Sequence, residues 1–174
     1  MELNEAIGFL PDDITTTEKT KWADLGCGTG TFTLALASLL KSSGTIYAID
    51  ADSSSLKRIP GNYNGVIIEK QQSNFEKDEL PFTGLNGILM ANSLHYVKDK
   101  IRFINKISRV LQPAGCLLLV EYDTDKSNQW VPHPLSFAGA KELFNETGFS
   151  SIRKLHEKPS AFGRANLYSL FIKR

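Results

Sequence analysis

Apolar and polar positions fall in blocks along the chain, and the blocks switch between an extended and a helical period. Lys21-Trp22-Ala23-Asp24-Leu25 is a short apolar run ending in Gly26-Cys27-Gly28-Thr29-Gly30, which predicts a strand entering a tight turn. Phe32, Ala35, Leu36, Leu39 and Leu40 then recur at helical spacing, so an amphipathic helix opens out of the turn and ends near Ser42-Ser43-Gly44. Thr45 to Asp50 is a second β-branched and apolar run closing on an acid, followed by a short polar helix, Ser53 to Arg58, that Pro60-Gly61 stops. Gly65 to Glu69 and Asn86 to Ala91 read as two further buried strands. Within Lys98 to Leu111 the stripe Phe103, Ile104, Ile107, Val110 and Leu111 is helical, and Gln112-Pro113-Ala114-Gly115 separates it from a fifth strand, Cys116 to Val120. A polar loop from Glu121 to Pro134 leads to a helix over Ser136 to Thr147, with Ser136 as N-cap and Gly148 as its stop. Strands near Ser151 to His156 and Asn166 to Ile172 close the chain.

Strands alternating with helices imply a parallel sheet covered on both faces, because right-handed crossovers place helices on either side. The last two strands share only the short polar link Glu157 to Ala165, so they pair as an antiparallel hairpin. The expected fold is α/β: a doubly wound, mostly parallel seven-stranded sheet with helices on both faces and an antiparallel edge hairpin. It forms a single domain over 1–174 with a short N-terminal extension, about 1–20.

Composition narrows the function classes. With 174 residues, 41% hydrophobic and 22% charged, one core fits and two do not. Twenty Lys+Arg against 19 Asp+Glu leave a formal charge of +1, which provides no field to recruit nucleic acid or an anionic membrane. The longest apolar run, Leu34 to Leu40, is interrupted by Ser38 and falls short of the roughly 20 residues of a membrane span. Met1-Glu2-Leu3-Asn4-Glu5 lacks the features of a signal peptide, and Cys27 and Cys116 form no scaffold spacing. The expectation is a soluble, cytoplasmic chain with free thiols and no metal site.

In open α/β sheets the ligand lies beyond the carboxyl ends of the strands where the chain order reverses. Gly26, Gly28 and Gly30 allow a tight bend and a close ligand approach, and Asp50 ends the second strand where a carboxylate accepts from ribose hydroxyls. An adenosine compound is implied. The dinucleotide fingerprint fails at Thr31, and the Gly-Lys-Ser/Thr of a P-loop is absent, so phosphate cradling is disfavoured. Asp24 at the end of the first strand instead suits a ligand with a positive amino group.

At Asp24 through Gly30 and at Asp50, the chain resembles the class I (Rossmann-like) S-adenosylmethionine-dependent methyltransferase family, and the element order extends the resemblance from Lys21 onward. Ser73-Asn74-Phe75 with Leu80-Pro81-Phe82 looks like the adenine-contacting segment, although Asn74 stands where many members carry Asp. Asn86 through Tyr96 resembles the fourth motif with Asn86 in place of the common Asp, and Leu111 through Gly115 the turn before strand five with Ala114 in place of the frequent Gly. An Asn74 carbonyl oxygen still accepts from an adenine amino group. The resemblance implies S-adenosyl-L-methionine as cofactor and S-adenosyl-L-homocysteine as product. It implies a cofactor site of Asp24, Gly26, Cys27, Gly28, Gly30, Asp50, Ala51, Asn74, Phe75, Ala91 and Asn92.

On the acceptor side, His95 and Tyr96 follow the fourth strand, and the loop after the fifth is rich in acids and aromatics. His95, Asp123 and His133 are the candidate catalytic residues, and Tyr122, Trp130 and Arg164 the candidate substrate contacts. Plainer roles stand beside these: packing for His95, a turn structure for Cys27, an ordinary surface loop around Trp130, a hairpin turn at Arg164. The expected function is methyl transfer to a nucleophile on a small-molecule acceptor, with no membrane partner and self-association left open. Nucleic acid is disfavoured because Ala91-Asn92-Ser93-Leu94 lacks the Asn/Asp-Pro-Pro-aromatic tetrad of base amino-methyltransferases. The alternatives are a non-catalytic S-adenosylmethionine-binding module or subunit of a methyltransferase complex and, third, a nicotinamide oxidoreductase, against which Thr31 counts.

Overall fold

A computed structural model describes residues 1–14, 19–40, 44–160 and 165–174. In chain order the elements are α1 (Leu3–Ile7), β1 (Thr20–Leu25), α2 (Thr31–Leu39), β2 (Gly44–Asp50), α3 (Ser53–Leu56), β3 (Asn62–Tyr63) and β4 (Val66–Gln72). They continue with β5 (Leu85–Ala91), α4 (Lys100–Ser108), β6 (Leu111–Tyr122), α5 (Phe137–Glu146), β7 (Ser151–Pro159) and β8 (Asn166–Lys173). Ser42, Ser43 and Arg164 lie outside the described residues.

The sheet order is β3-β4-β2-β1-β5-β6-β8-β7. β1, β2, β4, β5 and β6 are mutually parallel, and β3, β7 and β8 run antiparallel to their neighbours. The chain winds outward from β1 through β2 to β4, then returns to add β5 and β6 on the other side of β1. The reversal therefore falls between β1 and β5, and their carboxyl ends open a crevice there.

Alternation along the strands makes two cores. Leu117 and Leu119 of β6 face Phe103, Ile104 and Ile107 of α4 and Leu143 and Phe144 of α5. Cys116, Leu118 and Val120 face the opposite layer, with Phe32, Leu36 and Leu40 and with Ala6 and Phe9 at the amino terminus. Side-chain oxygens cap three helices: Asp52 accepts from Ser54 and Ser55, Asp99 from Arg102, and Ser136 from Gly139.

Several features differ from the sequence reading. β6 already begins at Leu111, so Leu111, expected to end the helical stripe, and Gln112 to Gly115, expected as the turn, belong to the strand, and β7 runs to Pro159, into the expected link. The sheet has eight strands, the extra one being β3, a two-residue partner to β4 across the turn Asn64-Gly65. Residues before β1 contribute α1, whose buried Ala6 joins the α2-side core. β6 runs on past Val120, so Glu121 and Tyr122 belong to the strand rather than to the loop, and Glu121 is fully buried.

Candidate active site

Along β1, Ala23 and Leu25 point into the core beneath α4 and α5, while Trp22 points into the α1–α2 layer. Asp24 shares the face of Trp22 by the two-residue period, which turns its carboxylate toward α2. There Thr33 Oγ1 donates to Asp24 Oδ2 at 2.6 Å. The other oxygen, Oδ1, is buried and has no hydrogen-bond partner among the described residues. Burial raises the Asp24 carboxyl to about 7; the Thr33 hydrogen bond opposes the shift, and the Asp50 charge adds to it.

The glycine turn is tied to β2. The N–H groups of Gly26 and Cys27 both donate to the Ile49 carbonyl, at 2.8 and 3.0 Å. Gly28 N–H donates to Asp50 Oδ2 at 2.8 Å, and Asp52 N–H to Asp50 Oδ1 at 2.9 Å. Gly26 and Gly28 hold φ of 79° and 52°, a region costly for other residues. A Cβ on Gly26 would stand 2.5 Å from Cβ of Ser93, whereas one on Gly28 would meet nothing within 4 Å. Burial, then the charges of Asp24 and Asp50, push the Cys27 thiol well up, which keeps it protonated and suits a structural role.

β5 supplies the facing wall. Ser93 Oγ donates to the Leu25 carbonyl at 2.6 Å, fastening the end of β5 to that of β1. Asn92 adopts φ 54°, its N–H bonds the Val120 carbonyl at 2.8 Å, and its buried Oδ1 has no partner among the described residues. Between these walls lies a cleft of about 480 Å³. Asp24, Gly26, Cys27, Gly28, Asp50, Ala91 and Asn92, all expected from sequence, line it; Met1, Thr29, Thr31, Phe32 and Tyr96 join them.

The remaining expected cofactor residues, Gly30, Ala51, Asn74 and Phe75, are not among the residues that line the cleft. Gly30 caps α2, its carbonyl accepting from Leu34 N–H at 2.9 Å. Phe75 borders Gly26 and packs on Phe103 with ring centroids 5.7 Å apart. Ala51 is exposed and its carbonyl accepts from Gln72 Nε2. Asn74 is an exposed turn residue whose Oδ1 accepts from the N–H groups of Glu76 and Lys77, each at 3.2 Å.

On the acceptor side, His95 is 2% exposed, and its Nδ1 lies 2.7 Å from Glu121 Oε2. Asp123 Oδ1 accepts from Phe137 N–H at 2.8 Å and so fastens the start of α5. The backbone of His133 bridges to the turn after β5: its N–H donates to the His95 carbonyl at 3.0 Å, and its carbonyl accepts from Lys100 Nζ at 2.7 Å. Tyr122 is half-buried beside His95, its phenol pushed up by burial, then by Glu121 and Tyr96. Trp130 is 69% exposed. Thr33, Ser93 and Glu121 escaped the sequence reading. Thr33 neighbours Phe32 on the buried face of α2, and Glu121 directly extends the apolar run of β6, signals the sequence does contain.

A family model described as a methyltransferase domain matches residues 16–159. The chain belongs to this family, and its fold is the class I Rossmann-like fold of S-adenosylmethionine-dependent methyltransferases. It is 28% identical over 146 residues to the ubiquinone/menaquinone biosynthesis C-methyltransferase UbiE of Pasteurella multocida, a match covering 79% of this chain and 49% of that protein. An uncharacterized methyltransferase of Mycobacterium tuberculosis is 25% identical over 114 residues, 66% of this chain and 56% of its own length. The chain thus spans about half the length of the curated relatives it matches. Among solved structures, the arsenic(III) S-adenosylmethionine methyltransferase of Chlamydomonas reinhardtii superposes with TM-score 0.71 at 16% identity, covering 98% of this chain and 72% of that one. The YcgJ protein of Bacillus subtilis gives TM-score 0.72 at 13% identity over 98% and 99% of the two chains.

S-adenosylmethionine, the cofactor of this family, fits the cleft by its donors. The two buried, unpartnered oxygens Asp24 Oδ1 and Asn92 Oδ1 call for hydrogen-bond donors or positive charge. Each Asp50 oxygen holds one backbone N–H and retains a lone pair for a ribose hydroxyl. The open space above Gly28 leaves room for the ligand against the turn.

Proposed function

We propose that this chain is an S-adenosylmethionine-dependent methyltransferase acting on a nucleophile of a small-molecule acceptor. The observation that carries the proposal is the buried, unpartnered Asp24 Oδ1 at the crevice between β1 and β5, with Asp50 on the adjoining strand end. Two carboxylates and an amide suit a cofactor that bears an ammonium, a ribose diol and a sulfonium. The bound cofactor supplies an electrophilic methyl group, and the chain supplies alignment, which suffices for large rate effects when reacting atoms are held close.

Acceptor size follows from the cleft's charge. Among the described residues lining it there is no Lys or Arg, and Asp24 and Asp50 repel phosphate backbones. Relatives named for ubiquinone/menaquinone biosynthesis and for arsenic(III) methylation support a small acceptor without choosing the attacking atom. A second reading, a cofactor-binding module completed by another chain, draws on the half-length match to the curated relatives. Among the described residues no helix is long and apolar enough to cross a membrane.

The test is transfer of labelled methyl from S-adenosylmethionine to a panel of phenols, amines, thiols and acidic carbon acceptors. Turnover with any of them supports the enzyme. Tight cofactor binding with no turnover on the whole panel supports the module.

A further inference from the structure

Next to Tyr96, which lines the cleft, stands a buried acid–histidine pair whose members are not among the cleft's lining residues. Glu121, near the end of β6, is fully buried, and His95, in the turn after β5, is 2% exposed. One carboxylate oxygen lies 2.7 Å from His95 Nδ1, and the other accepts the His95 backbone N–H at 3.1 Å. A carboxylate only accepts, so this arrangement places the imidazole proton on Nδ1 and leaves a lone pair on Nε2. The side-chain contact of the ring to Glu121 runs through Nδ1. Against the ring pack Tyr96, with centroids 4.4 Å apart, and Tyr122, at 6.2 Å. Tyr96 is 54% exposed and lines the cleft, so its ring links His95 to the edge of the cofactor site. The cation near Glu121 is Lys100 of α4, whose ammonium is held by the carbonyls of Val97 at 2.9 Å and His133 at 2.7 Å.

We propose that His95 Nε2 takes the proton of the acceptor's nucleophile, that Glu121 is the positioning residue fixing its tautomer, and that the acceptor is therefore a hydroxyl or amine compound entering over Tyr96. This deepens the methyltransferase reading and rests on it. As the nucleophile forms its bond to the methyl carbon, the sulfur–methyl bond breaks and its electron pair passes to sulfur. The O–H or N–H proton goes to Nε2, the imidazolium is held against Glu121, and the proton then leaves to water.

The test is proton–nitrogen correlation NMR of the histidine-labelled chain at a pH where the rings are neutral, with His133→Gln and His156→Gln for assignment. The expected result is a majority Nδ1–H tautomer at His95, reverting to the solution-preferred Nε2–H form in Glu121→Met. In parallel, diethylpyrocarbonate modification of His95, read by mass spectrometry, should rise by an order of magnitude in Tyr96→Ala. A majority Nε2–H tautomer in the wild-type chain overturns the proposal even if Glu121→Met fails to fold, and so does a His95 that stays unmodified in folded Tyr96→Ala. S-adenosylhomocysteine titrated into the same wild-type sample separates the two readings. Binding with the wrong tautomer removes the base and leaves the methyltransferase, whereas absence of binding removes the methyltransferase reading itself.

Discussion

The backbone N–H of Gly28 donates to Asp50 Oδ2 at 2.8 Å, joining the glycine turn to the end of β2 across 22 positions of sequence. With the Asp52 N–H on its other oxygen, Asp50 shapes the turn as well as lining the cleft. Asp50→Ala is expected to retain the fold but to lose about 1.5–3 kcal/mol through these charge-assisted bonds. Its melting temperature should fall, and the amides of Gly28 and Asp52 should lose hydrogen-exchange protection. Unchanged exchange at both amides would show that the turn holds its shape without Asp50.

Gly26 and Gly28 separate packing from binding. An alanine Cβ at position 26 would press 2.5 Å from the Ser93 Cβ, in a backbone region already unfavourable to it, so Gly26→Ala should be clearly destabilised. Gly28→Ala meets no protein atom within 4 Å and should lose only about 1–2 kcal/mol from its positive φ. Its added methyl enters the cleft, so cofactor affinity should fall more than stability does. Thermal melts and S-adenosylhomocysteine titrations of both variants check the contrast; equal cofactor affinity in Gly28→Ala and wild type counts against ligand contact at the turn.

Asp24 makes stability depend on pH in an unusual direction. Its folded-state value of about 7 lies above the ordinary 3.8, so the folded chain keeps a proton that the unfolded chain has released in that window. Stability from this group therefore falls as pH rises from about 3.8 to about 7 and is level beyond, a span of roughly 4 kcal/mol. Asp24→Asn removes that slope. Relative to wild type, the variant should gain stability in denaturant unfolding at about pH 8 and gain little near pH 4. Parallel pH profiles for the two proteins would show that Asp24 titrates as an ordinary carboxylate. An ammonium against Asp24 favours its charged form, so cofactor affinity should rise with pH up to about 7.

How much the sequence showed follows from which interactions are local. The strand–glycine–helix unit and the Ser136 cap were legible because each depends on neighbours a few residues away, and Asp24 and Asp50 because each stands at the end of a short apolar run. The Asn64-Gly65 turn was legible in principle: both residues take positive φ, the usual signature of a two-residue hairpin, yet the partner strand is only Asn62–Tyr63. The helix α1 had its signal in Leu3, Ala6, Ile7 and Leu10 at helical spacing, too short a run to separate from an extension. Glu121 with His95 and Ser93 with Leu25 were hidden because their partners lie 26 and 68 positions apart and meet only once β5 is placed between β1 and β6. Asp123 and Asn74 could be placed near the right strand ends, but that the first fastens α5 and the second a local turn became visible only with their hydrogen bonds.

Trp130 tests the loop after β6. Its side chain is 69% exposed, and its backbone N–H is held by Asn128 Oδ1 at 2.9 Å, so Trp130→Ala should leave folding and cofactor affinity unchanged. If the indole walls the acceptor, the acceptor KM should rise about tenfold through lost stacking and alignment. Unaltered kinetics at limiting acceptor would place the loop outside the site.

Calorimetric titration of S-adenosylhomocysteine into the chain bears most directly on the proposed activity. The expected result is one site per chain with a Kd on the order of micromolar or tighter, weakened at least about tenfold by Asp24→Asn and by Asp50→Ala. Absence of binding to the folded wild-type chain, or unchanged affinity in both folded variants, would contradict the assignment of the crevice between β1 and β5 as the cofactor site.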